Sequence, residues 1–428
     1  MIQNADIQEV PEEVETRMLG FANAVGVGFG EKETDEGMTG EASVVVFVTE
    51  KMDLDDLEAD EVIPEEVEIG GRTYKTDVVQ SGVVEALEQV MGEPDQLTVI
   101  PEEPDEADIE AIPDDFDRRK KWRPAPAGVA CSHASLQGQG TIGTPPLRHH
   151  GTGKTVFLTN AHVAALSGTA NQGDAVLQPG GNGNTADRIG TLLEFSQITF
   201  SQTANNRTDA ALVEVEPDHM QTDIFELQED LRGWAEPVVG RTYKKSGRTT
   251  GVTEGRLRAR NATFLVGFGS HGVARFVGLD VYTPMTLPGD SGSGVGEERA
   301  DGFYLGGLHF AGGGGVSLSI PIRAILDEFG QMTPLTSQDL VDPQDLRIVR
   351  PHFSGSLAAR ATTYRWSGPW AARYSAHFEA IPATPGRMVR LDVDRTYLSP
   401  SGAHYYLLKI ENLSNQKTRY KVNCAVFR

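Results

Sequence analysis

Short apolar runs recur along this chain, separated by clusters of Gly, Pro, Asn, Asp and Ser, a pattern that predicts β-strands joined by turns. In the N-terminal part, residues 24–30 and 43–49 read as strands, 76–79 as a shorter third, and 83–90 as a helix. These elements suggest a small acidic α/β regulatory domain over residues 1–90. Residues 91–122 lack periodicity and are rich in Pro, Asp and Glu, which predicts an extended linker. Within residues 123–336 the apolar segments 155–158 and 209–215 predict strands, and Ile322, Ile325, Leu326 and Phe329 recur at helical spacing. Residues 351–428 read as a separate β domain. Its candidate strands, 376–381, 388–394, 404–412 and 420–427, are divided by Pro385-Gly386, Ser401-Gly402 and residues 412–415, a pattern that fits a small sandwich.

Composition sharpens this picture. The 428 residues suffice for two to four domains, and 47 glycines favour β structure over helix. The net charge of −23 is unevenly spread: residues 1–117 hold 34 Asp/Glu against 5 Lys/Arg, while the rest of the chain carries a net of +6. So acidic a half argues against nucleic acid as a main partner, because phosphate binding needs clustered cations. The two cysteines, Cys131 and Cys424, are too few for a disulfide framework and suggest a reducing, cytoplasmic setting. The first residues lack the basic and apolar pattern of a signal peptide, and no apolar run is long enough to span a membrane.

Two glycine patterns are decoys. Gly26, Gly28 and Gly30 lack nucleotide-loop spacing, and Gly153-Lys154-Thr155 has Arg148 where the first P-loop glycine belongs. No Cys/His pair has zinc-ligand spacing, and no cofactor is expected.

Three short motifs carry the chemistry. Thr159-Asn160-Ala161-His162-Val163 comes first, then Thr208-Asp209-Ala210-Ala211-Leu212, then Gly289-Asp290-Ser291-Gly292-Ser293. A serine hydroxyl is a poor nucleophile until a base lies within hydrogen-bond reach, and that base needs a partner that holds its tautomer. His162 is the candidate base, Asp209 its orienter and Ser291 the nucleophile. Gly289 and Gly292 permit a tight turn in which the N–H groups of Gly289 and Ser291 face one developing oxyanion. Each motif alone fits an ordinary turn or strand; together, 47 and 82 residues apart in the order His, Asp, Ser, they form one constellation.

That order, with Arg123-Pro124-Ala125-Pro126-Ala127-Gly128, residues 173–180, Lys245-Ser246-Gly247-Arg248-Thr249-Thr250-Gly251 and residues 283–291, resembles the chymotrypsin/trypsin-like serine peptidase clan. The nearest resemblance is to intracellular bacterial trypsin-like peptidases akin to the plant narrow-leaf proteins. It takes in the N-terminal Val25-Gly26-Val27-Gly28 and Thr76-Asp77-Val78-Val79, and so covers residues 20–330. It implies a mainly β fold, a chymotrypsin-like double β-barrel with the site between barrels. The N-terminal α/β part and a sandwich-like C-terminal domain flank that fold. Ser293 departs from the second glycine usual in trypsins and matches glutamyl endopeptidases.

The resemblance also places Met285, six residues before the nucleophile, at the base of the S1 pocket, where no carboxylate awaits Lys or Arg. Thr286 and His309 resemble the Thr/His pair with which glutamyl endopeptidases and viral 3C-type peptidases recognise Glu or Gln at P1; both side chains can donate to a side-chain carbonyl. His149 and His150 read as surface loop residues. The sum is an intracellular serine endopeptidase acting on protein or peptide, controlled through its flanking domains or a regulatory protein partner. With Glu at P1, Glu102, Glu103, Glu106 and Glu110 become candidate self-cleavage sites. The alternative is a pseudoprotease scaffold that recruits partners without turnover.

Overall fold

Strand pairing gathers the described strands into two large sheets and three small ones. The computed structural model describes residues 9–34, 37–58, 60–86, 89–90, 117–227, 230–336, 347–371, 375–382, 388–398 and 403–427. Most of the acidic linker, with Glu102, Glu103, Glu106 and Glu110, lies outside the described residues. Contacts gather the described residues of 9–90, 126–216 and 222–334 into one compact unit, and those of 117–125, 217–221 and 335–427 into a second.

The first unit is built on two sheets. One has nine strands, running from Met332–Pro334 through Leu147–His149, Thr155–Thr159, Ala211–Val215, Arg188–Phe195, Ala175–Leu177, Ala130–His133 and Gly138–Thr141 to Gln89–Val90. Thr155–Thr159 is apolar enough to be central: it is buried at every position and paired on both edges. It delivers the chain directly to Asn160 and the short helix Ala161–Ala164. In the other sheet Thr242–Gly247 pairs with both Gly294–Arg299 and Gly251–Gly267. Those three strands, with Gly302–Gly313, Val316–Pro321 and Val273–Tyr282, therefore close into a six-stranded barrel. Phe276 anchors its interior, stacked with Phe268 and 4.9 Å from Phe310 by ring centroid.

The N-terminal strands join this barrel. Ala24–Thr34 pairs antiparallel with Gly251–Gly267, for instance Gly26 opposite Phe264, and Gly37–Val48, Arg72–Gln80 and Glu66–Ile69 follow on its far side. The helix Glu12–Leu19 covers this extension, burying Val14 and Met18 against Val27, Phe29, Val44 and Val46. Glu15 ties the helix down through hydrogen bonds from Thr263 Oγ1 and Arg275. The N-terminal strands thus share one sheet with Gly294–Arg299, the strand that follows Ser291. Among the described residues no helix is long and apolar enough to cross a membrane.

The helix expected over 83–90 is absent from its described residues. Val84, Glu85 and Ala86 form backbone hydrogen bonds to Gly267 and Gly312 instead, and Gln89–Val90 is a strand. Local apolar spacing lost to a tertiary partner that takes the same donors.

The C-terminal part has two three-stranded sheets. Arg347–Leu357, Thr418–Phe427 and Ser375–Pro382 form one; Thr362–Ala371, Ala403–Asn412 and Val389–Leu398 form the other. Leu357, Phe378, Tyr420 and Val422 from the first share a buried core with Tyr406, Leu408 and Ile410 from the second. This is the sandwich that the alternation predicted; its strands Arg347–Leu357 and Thr362–Ala371 were not legible in the pattern.

Candidate active site

His162 and Asp209 meet where two central strands of the nine-stranded sheet end. Asp209 has no exposed surface, and its Oδ2 lies 2.5 Å from His162 Nδ1. Its Oδ1 accepts the His162 backbone N–H at 3.1 Å, so one carboxylate fixes both the ring and the helix that carries it. Asn160 Nδ2 donates to the Asp209 carbonyl at 2.7 Å. A carboxylate only accepts, so Nδ1 carries the proton in the neutral ring and Nε2 keeps a lone pair. The ring of Phe268 stands edge-on to the imidazole, with centroids 6.1 Å apart.

Ser291 is held by the same sheet. Thr141 N donates to the Ser291 carbonyl at 2.8 Å and Thr141 Oγ1 to the Gly289 carbonyl at 2.9 Å. Gly289 and Gly292 have φ of 96° and 95°, a region that side chains disfavour, and this is why glycine brackets the nucleophile. A methyl group on Gly140 would lie 2.8 Å from the Ser291 carbonyl oxygen and closer still to the Val163 side chain. The nucleophile turn and the helix of His162 therefore flank a single residue.

Asp290, beside the nucleophile, was not read as functional. It is fully buried, and its Oδ2 lies 3.1 Å from Lys245 Nζ, also fully buried. Thr249 N, Thr250 N, Thr250 Oγ1 and Leu287 N donate to the same carboxylate at 2.6–3.1 Å. Burial alone would raise this carboxyl; Lys245, Thr250 Oγ1 and the backbone donors hold it below its ordinary value. The conspicuous 245–251 motif was the available signal. Arg248 from the same motif donates from Nε and Nη2 to Gln139 Oε1 and so links the two sheets beside the nucleophile.

The residues read as S1 fall into two places. Thr286 and His309 both approach Gly312: a methyl group there would lie 3.4 Å from Thr286 Oγ1 and 3.9 Å from His309 Cε1. Ser317, missed in the sequence, joins them, its Oγ 2.6 Å from Thr286 Oγ1 and accepting Met285 N at 3.0 Å. Met285 itself packs into an apolar cluster with Tyr243, Leu257, Tyr282 and Val295. Burial, countered in part by Asp290, pushes the His309 imidazole down to about 3, so the ring is neutral. Its Nδ1 lies 3.0 Å from the Leu318 carbonyl.

Two other expectations resolve simply. His149 is buried, with Nε2 2.7 Å from the Phe329 carbonyl, because its strand lies inside the sheet; His150 is exposed. Cys131 is a buried free thiol, pushed up to about 12 by burial, and so is inert.

The described residues are mainly β. Three solved structures are similar to part of this chain. Thermobifida fusca protease A is 21% identical, with 50% of this chain and 98% of that one covered and a TM-score of 0.37. Cellulomonas bogoriensis chymotrypsin is 21% identical, with 50% and 99% covered and a TM-score of 0.35. A glutamic acid specific serine protease, described as using a histidine triad in substrate binding, is 20% identical, with 49% and 100% covered and a TM-score of 0.36. No family model and no curated protein matches the sequence.

Proposed function

We propose that the chain is a serine endopeptidase that hydrolyses peptide bonds in proteins or peptides through an acyl-enzyme on Ser291. The observation that carries this reading is the buried Asp209–His162 pair beside a glycine-bracketed serine turn. His162 Nε2 takes the proton from Ser291 Oγ as that oxygen attacks the substrate carbonyl. The Gly289 and Ser291 N–H groups receive the oxyanion. His162 then returns the proton to the leaving amine, and water, activated by the same base, releases the acyl group. The buried free Cys131 fits a reducing compartment, and we place the enzyme in the cytoplasm. The parts flanking the catalytic strands are its means of control. Labelling by a fluorophosphonate probe that disappears on Ser291→Ala tests the assignment; a folded chain that never labels fits the scaffold reading instead.

Thr286 and His309 are the proposed P1-recognising pair. A carbonyl only accepts, so His309 Nδ1 donates to Leu318 and the neutral ring offers Nε2 as an acceptor. A glutamine amide can donate to that nitrogen, whereas a glutamate carboxylate cannot. We therefore assign P1 to Gln ahead of Glu. Fluorogenic peptides that differ only at P1 should be cut fastest with Gln, by roughly tenfold or more over Glu. Fastest cleavage after Lys or Arg would overturn the pocket assignment, and fastest cleavage after Glu would overturn the tautomer argument.

A further inference from the structure

A peptidase holds its substrate extended, and an extended chain binds most simply by adding to an open strand edge. One such edge leads away from the nucleophile. Gly294–Arg299 covers the strand Gly302–Gly313 only as far as Leu308. Beyond it the nucleophile turn takes over: Gly292 N donates to the His309 carbonyl and His309 N to the Ser293 carbonyl, both at 2.9 Å. Next comes Gly312, which borders Thr286 and His309.

Both backbone groups of Gly312 are used by the chain itself. Glu85 N donates to the Gly312 carbonyl and Gly312 N to the Glu85 carbonyl, each at 3.0 Å, in antiparallel pairing. On its other edge the same segment meets Gly267: Gly267 N donates to the Val84 carbonyl and Ala86 N to the Gly267 carbonyl, each at 2.9 Å. Residues 84–86 are thus an extended segment seated between two strand ends of the barrel. The lip is shaped for a backbone, since a methyl group on Gly313 would lie 2.5 Å from the Ser81 carbonyl oxygen and 2.7 Å from that of Val83.

The chain then reaches the other sheet. Gln89 pairs antiparallel with Gln139 and Val90 with Gly138, on the strand Gly138–Thr141. Thr141 of that strand holds the Ser291 carbonyl. In sequence only Leu87 and Glu88 separate Ala86 from Gln89. The chain thus pairs on one side with the edge beside the candidate P1 residues and on the other with the strand that supports the nucleophile. A peptide substrate needs both contacts.

We propose that residues 84–86 and 89–90 are an intramolecular occupant of the substrate groove, and that they keep external chains out until the segment is withdrawn. This rests on the reading of Ser291 as a peptidase nucleophile and names how that site is controlled.

The test weakens the segment's backbone pairing with Glu85→Pro plus Ala86→Pro, which removes the N–H donors to Gly312 and Gly267. In an otherwise unaltered chain, fluorophosphonate labelling of Ser291 should speed up on the order of tenfold or more, as one or two backbone hydrogen bonds are lost. In a Ser291→Ala background, a fluorescein-labelled peptide of residues 80–92 should bind the double-proline chain and not the chain with its native segment. Hydrogen exchange on the unaltered protein needs no variant to fold: the Gly267 and Gly312 amides should be protected. Equal peptide binding with and without the prolines, or fast exchange at both glycines, would overturn the proposal. Segment-dependent peptide binding with no probe labelling in either chain would uphold the occupied groove and sink the peptidase reading alone.

Discussion

Lys245 and Asp290 form an ion pair with no solvent-exposed side-chain surface, Nζ 3.1 Å from Oδ2, one residue before the candidate nucleophile. Asp290 also gathers the backbone of 249–250 and of Leu287, so this carboxylate sets the shape of the turn. Lys245→Met leaves a buried charge without its cation. It should destabilise the fold by about 3–5 kcal/mol and slow probe labelling of Ser291, while adding Asp290→Asn should recover part of the stability. Chemical denaturation of the three chains measures this. A loss below about 1 kcal/mol for the single variant would mean that the pair does not hold the turn.

Asp209→Asn keeps an oxygen for the His162 backbone N–H but can offer an amide N–H to Nδ1, which selects the wrong tautomer. Catalysis should fall by roughly four orders of magnitude with little change in thermal stability. Steady-state kinetics beside a melting curve checks it; activity within tenfold of the parent would show that Asp209 does not orient His162.

The pH dependence of stability should carry a His309 signature. Its folded value is lowered from 6.5 to about 3, so between those limits the unfolded chain binds the proton and the folded chain does not. Its contribution is full above 6.5 and is lost as pH falls toward 3. Asp280 and Asp223, each raised by burial to about 6, work in the opposite direction between 6 and 3.8. The informative quantity is therefore the difference between the parent and His309→Leu. The parent should lose stability more steeply from pH 6.5 to 4, as read by urea unfolding at fixed pH steps. Parallel curves would place His309 in solvent.

The three motifs were legible because backbone demands and chemistry coincide in them: glycines on either side of a serine, an Asp just before a strand, a His in the short helix just after one. The central strands were legible for a related reason, since unbroken apolar runs such as Thr155–Thr159 have nowhere to go but inside. Arg347–Leu357 and Thr362–Ala371 were not, because polar and aromatic residues interrupt their alternation. The burial of Met285 among Tyr243, Leu257 and Tyr282 was equally invisible, because position relative to the nucleophile does not say which way a side chain packs.

By itself, then, the sequence determined a mainly β chain with a His, Asp and Ser set in a recognisable order. Only the tertiary structure decided what lies around them. The apolar spacing of Val83, Val84, Ala86, Leu87 and Val90 is that of a helix, and nothing local contradicts it. Gly267 and Gly312 are remote in sequence yet stand ready with free strand edges, and they claim the backbone donors that a helix would have used internally. A backbone donor satisfied by one partner is lost to the other. The competition is settled by long-range pairing, which no window of local sequence contains.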